Sequence, residues 1–294
     1  MDFARGIVVS AVAGYYFVEH ENKIYLCRGR GRLRIDNLAP MAGDIVLFSP
    51  GDDDDGIVEQ VLPRRNFLPR PAVANVDAVV VVLAPQHPQP NLLMVDKLLA
   101  LLISMELATV ICVNKADLDC QQARQLAEIY SAAGFDSLIC SALTGQGLAE
   151  LSQMLGQRTV VLAGQSGAGK SHISSQIASG QLKLPIQVGK LSAKIGRGKH
   201  TTRQVSLLPL AGGGKLADTP GFSVFDLEME SGHLHRFYPE FINSGQCKFA
   251  PCFHIHEPDC AVKARLQRGE ISSSRYENYV KIYTELQERE ANRY

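Results

Sequence analysis

The chain has 294 residues, 46% of them hydrophobic, and its 30 basic and 30 acidic side chains leave no net charge. That length holds one large domain or two to three small ones, and a neutral balance gives no overall pull toward a polyanion, so charge has to be read locally. No apolar run approaches the roughly 20 residues that cross a bilayer, and the start Met1-Asp2-Phe3-Ala4-Arg5 lacks the regions of a signal peptide, so a cytoplasmic protein with reduced cysteines and no membrane partner is expected.

Residues 1–65 carry short apolar and alternating runs broken by glycines and polar turns: Gly6 to Val12, Tyr15 to Glu19, Lys23 to Cys27, Ile45 to Phe48 and Gly56 to Leu62. Five strands in this length predict a small barrel of the OB type. Arg28, Arg30, Arg32 and Arg34 recur at spacing two, which on an extended segment lines one face and offers a track for a phosphate backbone. A charged, solvated strand edge accounts for the same spacing equally well. The acidic turn Asp52 to Asp55 opposes a uniformly basic surface.

Residues 66–225 alternate strand and helix as βαβ units do, predicting a parallel sheet and an α/β fold. Asp77 to Ala84 and Ala108 to Val113 read as buried strands, and Asn91 can cap a helix with Leu92, Val95, Leu98, Leu99 and Leu102 on its buried side. The second strand ends in Asn114-Lys115-Ala116-Asp117. The Asp117 carboxylate can accept from guanine N1–H and N2–H₂, a donor pair adenine lacks, while Asn114 braces the site, Lys115 lies over the ring and the Ala142 amide of Ser141-Ala142-Leu143 reaches guanine O6.

The strand Thr159 to Ala163 then leads into Gly164-Gln165-Ser166-Gly167-Ala168-Gly169-Lys170-Ser171, a phosphate loop set between strand and helix. Its amides would face a phosphate, Lys170 would reach the β- and γ-phosphates and Ser171 would ligate magnesium. Gln187 to Ala217 holds six basic residues and no acidic one, including the glycine-rich stretch Gly196 to Arg203, which reads as a mobile loop. In Asp218-Thr219-Pro220-Gly221, Asp218 would hold magnesium through water and the Gly221 amide would sense the γ-phosphate. Thr202, or alternatively Thr201, would complete the metal shell. The order is unusual, because Asn-Lys-x-Asp and Ser-Ala-Leu precede the phosphate loop. The expected domain is a circularly permuted P-loop GTPase, cut just after Asp-x-x-Gly, so the segment that follows the γ-phosphate leads straight into the last domain.

Residues 226–294 place Cys247, Cys252, His254 and Cys260 within fourteen positions, a Cys₃His set suited to one closed, structural zinc, with His256 a competitor for the imidazole role. Cys27, Cys112, Cys120 and Cys140 are scattered and read as core residues. Pro258 and Gly269 bracket a helix, and Ser272 to Ser274 can cap a last one carrying Tyr276, Tyr279, Ile282, Tyr283 and Leu286, whose Lys and Arg residues read as a solvated face.

With these motifs in their permuted order, the chain resembles the RsgA (YjeQ/YloQ) family of GTPases that depend on the small ribosomal subunit. Arg64-Arg65-Asn66, the stretch Arg70-Pro71 to Asn75-Val76-Asp77, and Gly-x-x-Lys-His-Thr-Thr carry the same likeness. The resemblance implies an OB domain over 1–65, the permuted GTPase over 66–225 and a mostly helical zinc domain over 226–294. It also implies rRNA contacts from both flanking domains and release from the subunit after GTP hydrolysis. A hydrophobic Phe222 follows Asp-x-x-Gly where other GTPases place a water-orienting glutamine, and the family gives the catalytic role to the histidine before the two threonines, here His200. Oligomeric state is unreadable, and a monomer is expected.

Overall fold

The computed structural model describes residues 3–31, 39–69, 71–180, 205–218, 227–242 and 244–292. They fall into two compact units that the chain visits alternately: 1–78, 149–162 and 173–222 in the first, and 79–148, 163–172 and 223–294 in the second.

The first unit opens with a closed barrel of β1 (Ala4–Val12), β2 (Tyr15–His20), β3 (Lys23–Gly29), β4 (Ile45–Pro50) and β5 (Asp55–Val61). Their order is β1-β2-β3-β5-β4, closed by β1 against β4, with β3 and β5 parallel and the other pairs antiparallel. This is an OB-like five-stranded barrel, and closure removes the open edges that invite aggregation. The hairpins are dictated locally: Ala13-Gly14 and Glu21-Asn22 all take positive φ, as a two-residue turn matched to strand twist requires. Alternate residues Val8, Val18, Cys27, Val46, Phe48 and Val58 fill the interior.

The family-like joint is a splint. Buried Asp44 takes a bidentate pair from Arg64 (2.7 and 2.8 Å), Arg65 reaches Asp77 at 2.7 Å, and Asn66 exchanges two 2.9 Å bonds with the Val76 backbone. β6 (Phe67–Pro69) and β7 (Ala72–Ala74) form an antiparallel pair; farther along, β11 (Thr159–Ala163) lies parallel to β13 (Lys215–Asp218), and β13 runs antiparallel to β12 (Ser206–Pro209).

In the second unit β8 (Ala78–Leu83), β9 (Ala108–Val113) and β10 (Asp136–Ile139) stand in the order β10-β9-β8, with β9 and β10 parallel. Helix α1 (Leu92–Ser104) is capped by Asn91 on the Met94 amide, and α2 (Cys120–Ala132) by Asp119 on the Gln122 amide. Helices α3 (Leu148–Leu155) and α4 (Lys170–Ile177) follow β10 and β11 in the chain. The C-terminal part adds a 3₁₀ turn (Ser231–Phe237), α5 (Pro239–Ile242), α6 (Ala261–Gln267) and α7 (Ser273–Ala291).

This part is not a free-standing core. Leu234, Tyr238, Phe241, Val262, Tyr279 and Ile282 pack together with Ala100 of α1. Arg275 of α7 is buried, donating to Asp96 of α1 at 2.6 Å and to Glu240 at 2.8 and 3.1 Å, under the Tyr238 ring at 4.6 Å. Asn278 and Tyr130 add bonds to Asp96 at 2.7 and 3.2 Å. Three sequence expectations change here. Arg275 belongs to the core and not to a solvated face; Cys120 is exposed at the start of α2, whereas Cys27, Cys112 and Cys140 are buried. Ser272 is the N-cap of α7 by position, yet its hydroxyl meets Ser274 Oγ and caps no amide.

Candidate nucleotide site and metal centre

The phosphate loop follows β11 and ends at the first residues of α4. Gly164 has φ +126°, and a Cβ there would sit 2.2 Å from the Val82 carbonyl oxygen, so no other residue fits. At Gly169, φ +96°, a Cβ would lie 2.2 Å from Asn114 Nδ2. Gln165, Ser166 and Gly167 are exposed at the loop's crest, while Ala168 is buried beneath it. Lys170 folds over the loop and donates to the carbonyls of Gly164 (2.7 Å) and Gln165 (2.9 Å), and burial lowers its pKa. Ser171 is exposed at the start of α4.

Asn114 joins this loop to the Asn-Lys-x-Asp and Ser-Ala-Leu motifs. Its Nδ2 donates to the Ala168 carbonyl at 2.9 Å, and its Oδ1 accepts from the Ala142 amide at 2.9 Å and the Cys140 thiol at 3.6 Å. The side chain is 1% exposed, so both ends of its amide are used inside the protein. The Ala142 amide, expected at guanine O6, is engaged by Asn114 here. Asp117 is exposed at the rim, with Oδ1 accepting from the buried Ser141 hydroxyl at 2.5 Å, while Lys115, at φ +62°, extends to the His87 carbonyl at 2.5 Å. The Ser141 bond fixes one carboxylate oxygen and aims the acceptor at the rim. Sequence reading missed two supports, Cys140 and His87; neither carries a motif, and each is defined only by proximity. Gln165 of the phosphate loop adds a further tie, its Oε1 accepting from the Asn91 amide at 3.3 Å.

Replacing Asp117 by Asn puts a donor where guanine also donates. Affinity for GTP should fall about 100-fold or more, while xanthosine triphosphate, which has a carbonyl at C2, should gain. Competition against a labelled nucleotide reads this directly, and an unchanged GTP preference contradicts the role of Asp117.

Of the other expected site residues, Asp218 ends β13, and nothing is described of its side chain. Arg28, next to last in β3, is bonded to Tyr15, and Arg30, just past the end of β3, pairs with Glu59. Of the four arginines, Arg28 alone lies on a strand among the described residues; Arg32, Arg34, Arg70, His200, Thr201, Thr202, Gly221 and Phe222 lie outside the described residues.

The metal-ligand set gathers as a cluster. Cys247 Sγ, Cys252 Sγ, His254 Nδ1 and Cys260 Sγ lie within 4.8 Å of one another. A tetrahedral zinc with ordinary bond lengths separates two sulfurs by about 3.8 Å and a sulfur from a nitrogen by about 3.5 Å. The cluster has Cys247–Cys260 at 3.9 Å and His254 Nδ1 at 3.6, 3.4 and 3.3 Å from Cys247, Cys252 and Cys260. The donor set therefore fits zinc, with His254 as the imidazole and His256 outside the group. His254 reaches inward because its backbone takes φ +62°. The turn is braced by the Glu257 carboxylate on the Phe253 and Ile255 amides (2.6 and 2.8 Å), and by Tyr276 and Tyr279 of α7 on the carbonyls of His254 and Phe253. Burial lowers the His254 pKa, favouring the neutral imidazole a metal needs, and pushes the Cys252 thiol up to about 12, which a bound dication would reverse.

A glycine loop between strand and helix, preceded in the chain by an Asn-Lys-x-Asp motif bonded to it, defines a circularly permuted P-loop GTPase flanked by an OB-like barrel and a Cys₃His helical region. The RsgA GTPase family model matches residues 61–228, and the RsgA N-terminal domain model matches residues 5–58. A small ribosomal subunit biogenesis GTPase RsgA from Caldanaerobacter subterraneus is 37% identical over 100% of this chain and 99% of that protein; one from Moorella thermoacetica is 41% identical over 97% and 98%. Among solved structures, YjeQ from Thermotoga maritima superposes with a TM-score of 0.81 at 39% identity, covering 97% of this chain and 99% of that one. YloQ, described as a circularly permuted GTPase, superposes at 0.78 and 32% identity, covering 98% and 96%. The chain belongs to the RsgA GTPase family.

Proposed function

We propose that this GTPase acts on the small ribosomal subunit, binding late in its maturation with GTP and leaving after hydrolysis to GDP and phosphate. The observation that carries the nucleotide half is Asn114, whose two amide ends link the base-reading motif to the phosphate loop. The ribosomal half rests on the family and on relatives named small ribosomal subunit biogenesis GTPase. The division of labour is an OB domain over 1–65 and a zinc domain over 226–294, both meeting rRNA, around a GTPase domain over 66–225. The protein works as a cytoplasmic monomer.

Gly164 to Ser171 cradle the phosphates, and Asn114, Lys115, Asp117, Ser141 and Ala142 read the base. Ser171, Thr202 (with Thr201 as its alternate) and Asp218 hold the magnesium, which neutralises phosphate charge, and the Gly221 amide senses the γ-phosphate. One structural zinc is held by Cys247, Cys252, His254 and Cys260. His200 orients or deprotonates the attacking water, which the apolar Phe222 cannot do. Free enzyme turns over slowly, and the subunit stimulates hydrolysis through His200.

Replacing His200 by Ala should lower subunit-stimulated turnover about 100-fold while leaving the Kd for GTP within about twofold, the pattern of an interaction made only in the transition state. Single-turnover hydrolysis beside equilibrium nucleotide binding tests this. Unchanged stimulated turnover removes His200 from the mechanism.

A further inference from the structure

Strand β12 pairs on both of its edges. On one side it runs along β13, with Ser206 opposite Asp218 and Pro209 opposite Lys215. On the other side Ser206 is the register partner of Ser10 on barrel strand β1. A row of direct partners, Ser10, Ser206 and Asp218, therefore leads from the barrel to the last residue of β13. Two strand spacings span about 10 Å, so a displacement of β1 reaches Asp218 through two strand pairings alone.

Side chains fix this row at the barrel end. Ser10 is fully buried; its hydroxyl donates to the Val205 carbonyl at 3.3 Å and lies 3.1 Å from Ser206 Oγ. A serine hydroxyl has one proton, so with Ser10 donating to the carbonyl it is Ser206 that donates to Ser10. A bulge between Val8 and Ser10 shifts the register of β1 against β2 at this point, and bulges re-aim the side chains beside them. At the opposite end of β13, Lys215 pairs with Glu19 of β2, both side chains half-buried. The barrel thus holds β13 at its first residue directly and at its last through Ser206. Hydrogen bonds have a fixed length and direction, so they set a register that apolar contact would leave free to slide.

We propose that Ser10, Ser206 and the Glu19–Lys215 pair are positioning residues for GTP hydrolysis: they hold the β12–β13 hairpin so that Asp218 serves the magnesium that enters with GTP. This rests on the assignment of Asp218 to magnesium under Proposed function. The barrel is then a working part of the nucleotide site. The linkage is reciprocal, so whatever displaces β1 changes the affinity for magnesium and GTP, and their binding changes the barrel by the same free energy.

The test uses the full-length protein and a mant-labelled, non-hydrolysable GTP analogue, whose binding is titrated with Mg²⁺ and measured again in EDTA. Ser10→Ala and Ser206→Ala should each raise the half-saturating Mg²⁺ concentration about fivefold, the effect of one lost hydrogen bond, and the double variant should be no worse than either. Ser206→Thr keeps the hydroxyl and should restore the wild-type value. Glu19→Lys and Lys215→Glu should each raise the requirement, and the two together, which re-form the pair in reverse, should bring it back. Affinity in EDTA should not change, because the Asn114, Asp117 and phosphate-loop contacts are untouched. An unchanged Mg²⁺ requirement in both serine variants, or a loss in EDTA as large as that in Mg²⁺, overturns the proposal. Asp218→Asn separates it from the assignment beneath it and should raise the requirement about 10–100-fold. If Asp218→Asn does so and the serine variants do not, the positioning fails and Asp218 keeps its role. If Asp218→Asn does not, Asp218 loses its role and the positioning falls with it.

Discussion

Arg275→Ala is expected to lower folding stability by about 3–5 kcal/mol, a large part of the 5–15 kcal/mol that typically holds a domain together. The guanidinium is 2% exposed and serves two carboxylates that are themselves buried, Asp96 at 1% and Glu240 at 6%. Burial alone opposes charging Arg275, but Asp96 and Glu240 outweigh it and raise its pKa; burial raises the Asp96 pKa, with Arg275 opposing that effect. Truncating the arginine leaves two uncompensated acids in a core, which costs far more than the pair's net contribution. Lys97 and Glu285 join the same two helices nearer solvent, so Lys97→Ala should change stability by no more than about 1 kcal/mol. Urea denaturation followed by far-ultraviolet circular dichroism compares the two. Equal effects would contradict the burial argument.

Removing the zinc should be as severe for residues 247–260. Only His254 and Cys260 are buried in that stretch, and its shape depends on four ligands drawn to one point, with His254 in a left-handed backbone conformation. Structural zinc in small sites contributes binding energy that is folding energy. Native protein should carry one zinc by elemental analysis. Chelation or Cys260→Ser should expose the segment to protease and loosen Tyr276 and Tyr279, whose hydroxyls bond the ligand turn. Loading should weaken as pH falls, because binding must displace thiol protons. GTP hydrolysis by the stripped protein should persist, since no zinc ligand belongs to the phosphate loop; its complete loss would favour a zinc-dependent hydrolase. An undisturbed protease pattern would show that the metal is dispensable.

What could be read in the chain beforehand follows from how local each signal is. The barrel strands, the phosphate loop and the Cys₃His spacing are contiguous, so periodicity and ligand spacing expose them. Asn114 was legible as part of the Asn-Lys-x-Asp motif, but its grip on Ala168 joins residues 54 positions apart and needs the fold. The Asp96–Glu240–Arg275 cluster was illegible. Its members are scattered over 180 positions, and a charged residue on a helix gives no sign that it faces inward until its partners are placed. The Arg28 to Arg34 spacing is local, but it gives no sign of partners: Arg28 bonds Tyr15 and Arg30 pairs with Glu59.

The most direct measurement is hydrolysis of GTP and of ATP, with and without purified small ribosomal subunits, at fixed salt and magnesium. A large stimulation confined to GTP is the predicted result, and it fixes nucleotide, reaction and partner together. GTP hydrolysis that subunits leave unchanged would contradict the ribosomal reading and leave a GTPase whose activator is another RNA.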